Sequence, residues 1–185
     1  MRFHFRGIAQ IICRSVLMGA VVAAGVSLPA VWSDAQAQVR IVALGASNTK
    51  GKGVSLSEAY PAQLQGMLKA KGVSASVANA GINGDTTGGM LARLDSAVPS
   101  GTQLVILQPG GNDRRRGSEG SRAGNIAQIK SRLAARKIKV VVMENNMLGA
   151  IPASERQPDG IHFTPKGYAR LAAGILPSVL SAIGK

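Results

Sequence analysis

The sequence predicts an α/β fold, a three-layer αβα sandwich around a parallel, flavodoxin-like sheet of four to five strands. Four short apolar segments rich in β-branched residues alternate with segments of helical periodicity, which is typical of βαβ units. Three of these apolar segments end in glycine, polar or charged clusters. In parallel sheets, functional sites lie at the carboxyl ends of the strands.

The strands are predicted at 39–44, 73–79, 103–107 and 138–143. Helices are predicted at 57–71, 86–97, 122–136 and 165–183, where apolar residues recur at three- and four-residue spacing. Thr164 is the expected N-cap of the last helix, and Pro165 its first residue. Pro177 is expected to kink or divide this helix, because proline lacks the backbone N–H.

Residues 1–37 have the pattern of a cleaved secretory signal peptide. Three arginines precede or flank an apolar run at 16–31, and Ala35-Gln36-Ala37 has the small-x-small form of a cleavage site. We therefore expect residues 38–185 to form a single periplasmic or secreted domain. An uncleaved anchor is the alternative, but the apolar run is short of the roughly 20 residues that span a membrane.

Removal of the signal peptide limits the available chemistry. It takes away the only cysteine and one of the two histidines, so thiolate catalysis and zinc–thiolate sites are excluded.

The domain that remains after this removal is strongly basic. The signal peptide takes with it 3 of the 22 basic and 1 of the 9 acidic residues, which leaves a net charge of +11. This charge favours anionic partners and predicts peripheral contact with an anionic membrane surface. Only three aromatic residues remain, too few for nucleic-acid stacking, so no nucleic-acid partner is expected.

The glycine-rich stretch after the first predicted strand, residues 43–53, has two interpretations. As a phosphate loop it fails on spacing, because Lys50 stands where the second glycine is needed and Gly53 follows Lys52. The other interpretation makes Ser47 a nucleophile, which needs a base oriented by a carboxylate. His162 is the one histidine outside the signal peptide, and Asp159 precedes it by three residues. Taken alone, an Asp–His pair at this spacing is common and is more typical of a surface turn than of a catalytic pair.

Two further turns offer donors for an oxyanion. Residues 79–87 contain Gly84, whose backbone N–H can approach a substrate, and residues 110–113 contain the Asn112 amide. Glycine and asparagine are also ordinary turn formers. Together, however, the blocks Gly45-Ala46-Ser47, Gly84 in "NGDTT", "GGND" at 110–113 and "DGIH" at 159–162 occur in order. They resemble the SGNH hydrolase family, the GDSL esterases and lipases, and are most similar to its bacterial periplasmic thioesterase I, lysophospholipase and arylesterase branch.

The resemblance extends over residues 38–185 and implies roles for the site residues. Ser47 would be the nucleophile, His162 the base and Asp159 the residue that orients it. The Ser47 N–H, the Gly84 N–H and the Asn112 side chain would form the oxyanion hole, with no metal or cofactor. The implied function is an exported serine esterase that hydrolyses small-molecule or lipid substrates: acyl or aryl esters, thioesters or lysophospholipids. A carbohydrate O-deacetylase and a non-catalytic binding protein are the alternatives. The oligomeric state is left open.

The sequence departs from the family pattern in two places. Ala46 stands where the family usually has aspartate, and Asn48 is expected to replace part of its hydrogen bonding. Only 46 positions separate Asp113 from Asp159, which predicts a short or missing fifth strand. From their positions at strand ends, Asn48, Arg114 and Asn145 are expected to contact substrate. The alternative for Arg114 and its two arginine neighbours is a solvated loop without a specific partner.

Overall fold

The four strands of the computed structural model, which describes residues 38–185, form one parallel sheet. Its order is β2-β1-β3-β4. The strands are Val39–Gly45 (β1), Ala75–Gly81 (β2), Leu104–Gln108 (β3) and Lys139–Val142 (β4). This is the strand order of flavodoxin-like sheets. The signal peptide predicted at 1–37 lies outside the described residues.

Helices follow or separate the strands. They are Ser47–Lys50 (α1), Tyr60–Ala70 (α2), Thr87–Ala92 (α3), Leu94–Ala97 (α4), Asn112–Arg115 (α5), Glu119–Ala135 (α6), Asn145–Gly149 (α7) and Pro165–Ala182 (α8). A 3₁₀ helix spans Ala153–Glu155. None of the helices within residues 38–185 has the length and apolar character needed to cross a bilayer.

Alternate residues of the central strands supply two separate cores. Ile41 and Ala43 of β1 pack in a cluster with buried side chains of α2 and α8. Val42 and Leu44 pack in the opposite cluster with buried side chains of α3, α4 and α6. Because successive strand residues point to opposite faces, a continuous apolar strand needs helices on both sides. The predicted three-layer αβα class is therefore confirmed.

Several boundaries differ from the prediction. β2 begins at Ala75 and runs to Gly81, two residues later than expected, because it pairs in register with the end of β1. Residues predicted as one helix at 86–97 form two, separated at Arg93. Pro177 does not divide α8, which is continuous through it. Thr164 caps α8 as predicted, since its hydroxyl accepts the Gly167 N–H.

A fifth strand is absent from the described residues. After β4, the chain forms α7 and the 3₁₀ helix, and then makes only an isolated bridge between Arg156 and Phe163. Asp159 lies in the segment between these two bridge residues. The sheet register also aligns the carboxyl ends of β1, β2 and β3, since Gly45 of β1 lies opposite both Gly81 and Gln108. The turns after β1, β2 and β3 therefore meet at one edge.

Candidate active site

Ser47 stands at a tight turn between β1 and α1. A side chain on Gly45 would place its Cβ 2.1 Å from the Thr49 hydroxyl, so glycine is needed for the helix to start this close to the strand. Ser47 is the first residue of α1 and is 8% exposed. Its backbone N–H has no acceptor within residues 38–185, as is usual in the first turn of a helix.

The structure brings Ser47, His162 and Asp159 into one hydrogen-bonded chain. The Ser47 Oγ lies 2.9 Å from the Nε2 of His162. The Nδ1 of His162 lies 2.5 Å from the Oδ2 of Asp159. His162 is buried, whereas the Asp159 side chain is 41% exposed. The nucleophile and the base are 115 positions apart in the sequence.

Asp159 is fixed by the backbone of its own turn. Its Oδ1 accepts the N–H groups of Ile161 and His162, both at 2.9 Å. Gly160 makes this turn possible with a φ of +68°, in the left-handed region that favours glycine. The backbone hydrogen bond from His162, together with the bonds from its ring and from Ile161, lowers the pKa of Asp159 below its usual value.

This arrangement determines which tautomer His162 adopts. Because an ionised carboxylate can only accept hydrogen bonds, the Nδ1 of a neutral His162 must carry the proton that Asp159 receives. The lone pair of Nε2 then faces the hydroxyl of Ser47. A serine proton can therefore pass to the ring without a change of tautomer.

Gly84 and Asn112 lie on neighbouring turns. Gly84 has a φ of +75°, and its N–H donates to no acceptor within residues 38–185. The Nδ2 of Asn112 donates to the carbonyl of Asp85 at 2.6 Å. Arg115 donates to the Oδ1 of Asn112, also at 2.6 Å. These two bonds fix the orientation of the amide and leave its second N–H available.

Arg93 joins the Gly84 turn to the strand ends, which the sequence analysis did not predict. Its Nε pairs with Asp85 at 2.8 Å, and its NH2 group donates to the carbonyls of Gly45 and Ala80. One side chain thus ties the ends of β1 and β2 to the turn that carries Gly84. The only signal for it in the sequence is one arginine in a mostly apolar helical segment.

Gln108, not Asn48, makes the hydrogen bonds that hold the turn at Ala46. The Oε1 of Gln108 accepts the Ala46 N–H and the Thr49 hydroxyl, each at 3.1 Å. The Asn48 side chain instead accepts a long hydrogen bond of 3.4 Å from Tyr168. The expectation that Asn48 replaces the missing aspartate in this turn is therefore wrong. Gln108 is the last residue of β3, whose five residues are all buried. The only signal for its role in the sequence is a single glutamine at the end of an apolar run.

A small cleft opens beside Ser47, with a volume of about 210 Å³. Its lining is Ala46, Ser47, Asn48, Gln108, Gly110, Gly111, Asn112, Arg115, Leu148, Gly149, Arg156, Ile161 and Phe163. Asn48 is part of it, but Arg114 and Asn145 are exposed and do not line it. The arginines that the structure places at the cleft are Arg115 and Arg156.

The turn carrying Asp159 is anchored through Glu155, which the sequence analysis also missed. The buried carboxylate of Glu155 binds Arg170 of α8 through both oxygens, at 2.5 and 2.7 Å, and Lys166 at 3.3 Å. The backbone carbonyl of Glu155 accepts the N–H of Thr164. Hydrogen bonding to Arg170 is the main reason that the pKa of Glu155 falls to about 2.

Residues 38–185 contain no group of three histidine, cysteine or acidic side chains arranged to hold a metal ion. The chemistry available at this edge is that of a hydroxyl, an imidazole, a carboxylate and several N–H donors. The fold and this site together define a class of protein, the SGNH-type hydrolases.

Comparison with known sequences identifies the family. The family described as GDSL-like Lipase/Acylhydrolase matches residues 43–158, so the chain belongs to it. Esterase TesA of Pseudomonas aeruginosa is 28% identical over 181 residues, covering 79% of this chain and 90% of that protein. An arylesterase of Vibrio mimicus is 36% identical over 83 residues, covering 44% of this chain and 42% of the relative.

Solved structures agree with this assignment. A crystal structure of TesA superposes with a TM-score of 0.71 at 25% identity, covering 77% of this chain and 99% of that one. AlinE4, an SGNH-hydrolase family esterase, is 31% identical with a TM-score of 0.54, covering 78% of this chain and 71% of its own. The resemblance found in the sequence is confirmed, and the protein is a carboxylic ester hydrolase.

We predict that the Glu155 ion pairs stabilise the fold only above acidic pH. A carboxylate with a lowered folded-state pKa contributes stability that is present above its ordinary value of 4.5 and is lost as the pH falls toward about 2. Glu155→Gln should therefore lower the Tm at pH 7, and its difference from wild type should shrink between pH 4.5 and pH 2. Thermal melts across this range measure it.

Glu119→Gln is the matched control, because Glu119 is exposed in the first turn of α6. It should change the Tm little at any pH. A difference between Glu155→Gln and wild type that stays constant down to pH 2 would contradict the linkage.

Proposed function

We propose that the protein is an exported serine esterase in which Ser47, His162 and Asp159 form the catalytic triad. The observation that carries this proposal is the continuous hydrogen-bonded chain from the Ser47 hydroxyl through both ring nitrogens of His162 to Asp159. Its serine end lies in a cleft lined with hydrogen-bond donors. A serine, an oriented neutral imidazole and a carboxylate are the groups that acyl transfer needs.

In the acylation step, the Ser47 Oγ attacks the carbonyl carbon of the ester while the Nε2 of His162 takes the hydroxyl proton. The Asp159 carboxylate stabilises the imidazolium that forms. When the tetrahedral intermediate collapses, its bond to the leaving oxygen breaks and His162 gives that oxygen the proton. The alcohol departs, and the acyl group remains on Ser47.

In the deacylation step, His162 removes a proton from water, which attacks the acyl carbonyl. The bond to Ser47 then breaks, the serine regains its proton from His162, and the carboxylic acid leaves. Ester and water are thus converted to acid and alcohol with the enzyme restored. Both intermediates carry an oxyanion, which the N–H groups of Ser47 and Gly84 and the Nδ2 of Asn112 would stabilise.

The size of the cleft supports short acyl or aryl esters as substrates. At about 210 Å³ it is below the roughly 300–1,000 Å³ of sites for drug-sized ligands. This volume equals that of about seven water molecules at ~30 Å³ each. Thioesters and lysophospholipids remain further candidates, distinguished by the substrate panel below.

The export part of the proposal rests on the sequence of residues 1–37, with its arginines, its apolar run and its small-x-small site. β1 begins at Val39, so cleavage after Ala37 would leave the sheet intact. A net charge of +11 on the remaining domain supports peripheral contact with anionic membrane lipids.

Ser47→Ala should lower kcat by a factor of about 10⁴ or more, because the nucleophile is removed while the surrounding donors stay. The same substitution should abolish covalent labelling by a fluorophosphonate probe, measured by intact-protein mass spectrometry. Ser121→Ala, at an exposed serine of α6, is the matched control and should keep both activity and labelling. Full activity in Ser47→Ala would exclude the triad.

Asn112→Ala should lower kcat by about 10²–10³ with a smaller change in KM, since one oxyanion donor acts mainly in the transition state. Because Asn112 also bonds the Asp85 carbonyl, thermal melting is measured in parallel. Asn146→Ala, at an exposed position of α7, is the control. If kcat falls no more than in the control, Asn112 is not a donor of the oxyanion hole.

A panel of 4-nitrophenyl esters from acetyl to palmitoyl tests the substrate class. We expect kcat/KM to be highest between acetyl and butyryl and to fall for octanoyl and longer chains, because the cleft is small. A lysophospholipid and an acyl thioester are assayed in the same series. A maximum at long chains would show that the acyl group binds outside this cleft.

A further inference from the structure

Gln108 presents a hydrogen-bond donor to the cleft that the fold leaves unused. The residue is 1% exposed, and its Oε1 is held by the Ala46 N–H and the Thr49 hydroxyl. These two bonds fix the rotation of the Gln108 amide, so its nitrogen faces away from Ala46 and Thr49 in the turn between β1 and α1. The Nε2 lies 3.3 Å from where a Cβ on Gly110 would stand, and Gly110 and Gln108 both line the cleft.

The Nε2 of Gln108 donates to no acceptor within residues 38–185. The Tyr60 hydroxyl is the one fully buried side-chain polar atom without a partner among residues 38–185, so the Gln108 nitrogen is in contact with the open cleft, where water or a ligand can accept its hydrogen bond. The two bonds at Oε1 prevent the amide from turning to find another partner. The only direction left for this N–H is toward whatever occupies the cleft.

The rest of the lining is also rich in donors and poor in acceptors. Its charged side chains are Arg115 and Arg156, and no carboxylate belongs to it. Arg156 is already bonded to backbone carbonyls of the neighbouring turns, those of Leu148, Ile151 and Gly160. Arg115 uses one nitrogen on Asn112. A ligand that complements this wall must therefore bring its own oxygen acceptor.

The cleft corresponds to the acyl side of the substrate. Ser47 and Asn112 line it, and so do Ile161 and Phe163 on either side of His162, but the His162 side chain does not. The leaving oxygen must lie at the Nε2 of His162 to receive its proton. We therefore expect the alcohol on the His162 side and the acyl chain in the cleft that Gln108 lines.

We propose that Gln108 binds an acceptor oxygen within the acyl group, so that the enzyme selects short acyl chains carrying an ether, hydroxyl or oxo oxygen over hydrocarbon chains of equal length. This specificity rests on the proposed function, since it needs acylation at Ser47. Gln108 then has two separate roles: its amide oxygen holds the turn at Ala46, and its amide nitrogen binds the acyl chain.

The test compares 4-nitrophenyl methoxyacetate with 4-nitrophenyl butyrate, which differ by one oxygen in place of one methylene. The two esters differ in intrinsic reactivity, so the quantity compared is their kcat/KM ratio across variants, in which that difference cancels. Gln108→Glu keeps an acceptor for Ala46 and Thr49 but removes the N–H donors. Gln108→Met removes both without adding a charge.

We expect the methoxyacetate-to-butyrate ratio to fall about tenfold in both variants, the effect of one lost hydrogen bond in a nearly buried site. Gln103→Glu makes the same chemical change just before the other end of β3, where the side chain is exposed, and should leave the ratio unchanged. If Gln108→Met does not fold, Gln108→Glu with the Gln103→Glu control decides the question.

A ratio within twofold of wild type in the folded Gln108 variants would overturn the proposal, even if both rates fall together, because that result assigns Gln108 to the turn alone. Ser47→Ala separates this failure from a failure of the proposed function. If both esters are hydrolysed equally by wild type and Ser47→Ala, the serine mechanism and the acyl-chain proposal are both overturned.

Discussion

The geometry of the candidate active site depends on the register of β1 against its two neighbouring strands, β2 and β3. Gly45 lies opposite Gly81 on one side and Gln108 on the other, so three strands end at the same level. The turns that follow carry Ser47, Gly84 and Asn112. A slip of one residue in either pairing would move these groups apart and would also exchange the two buried faces of the strand. Correct packing of the two cores and correct geometry of the site therefore require the same register.

Polar side chains from β3 and from the junction of α3 and α4 then fix the turns at this edge. Gln108 holds the nucleophile turn from β3, and Arg93 holds the ends of β1 and β2 together with Asp85. Because its amide is neutral, Gln108 holds the turn at Ala46 without adding a negative charge beside it. This explains how a nucleophile turn without the usual aspartate still keeps the Ser47 hydroxyl 2.9 Å from the Nε2 of His162.

The turn that carries Asp159 and His162 is stabilised in a different way. Residues 38–185 form no fifth strand beside this segment. It is anchored instead by Arg156 and by the Glu155 side chain, which binds Arg170 of α8. Arg156 bonds the carbonyls of Leu148 and Gly160 and stacks 5.0 Å from the centre of the Phe163 ring. Charge-assisted bonds between nearby residues thus replace the backbone ladder that a strand would supply. Asp159 bonds both the backbone N–H and the ring Nδ1 of His162 from this turn of four residues.

The sequence by itself determined the fold class, the order of the four strands, and Ser47, Asp159 and His162 as the side chains that meet in the candidate site. It could do so because strand and helix periodicities report local burial, and because Asp159 and His162 are close enough in sequence for one turn to join them. Tertiary structure decided that Gln108 rather than Asn48 holds the turn at Ala46, that Arg115 rather than Arg114 lines the cleft, and that Pro177 leaves α8 undivided. These outcomes depend on contacts between distant positions, such as the 62 residues from Ala46 to Gln108. Such contacts exist only once the strand register is set, and no local pattern encodes them.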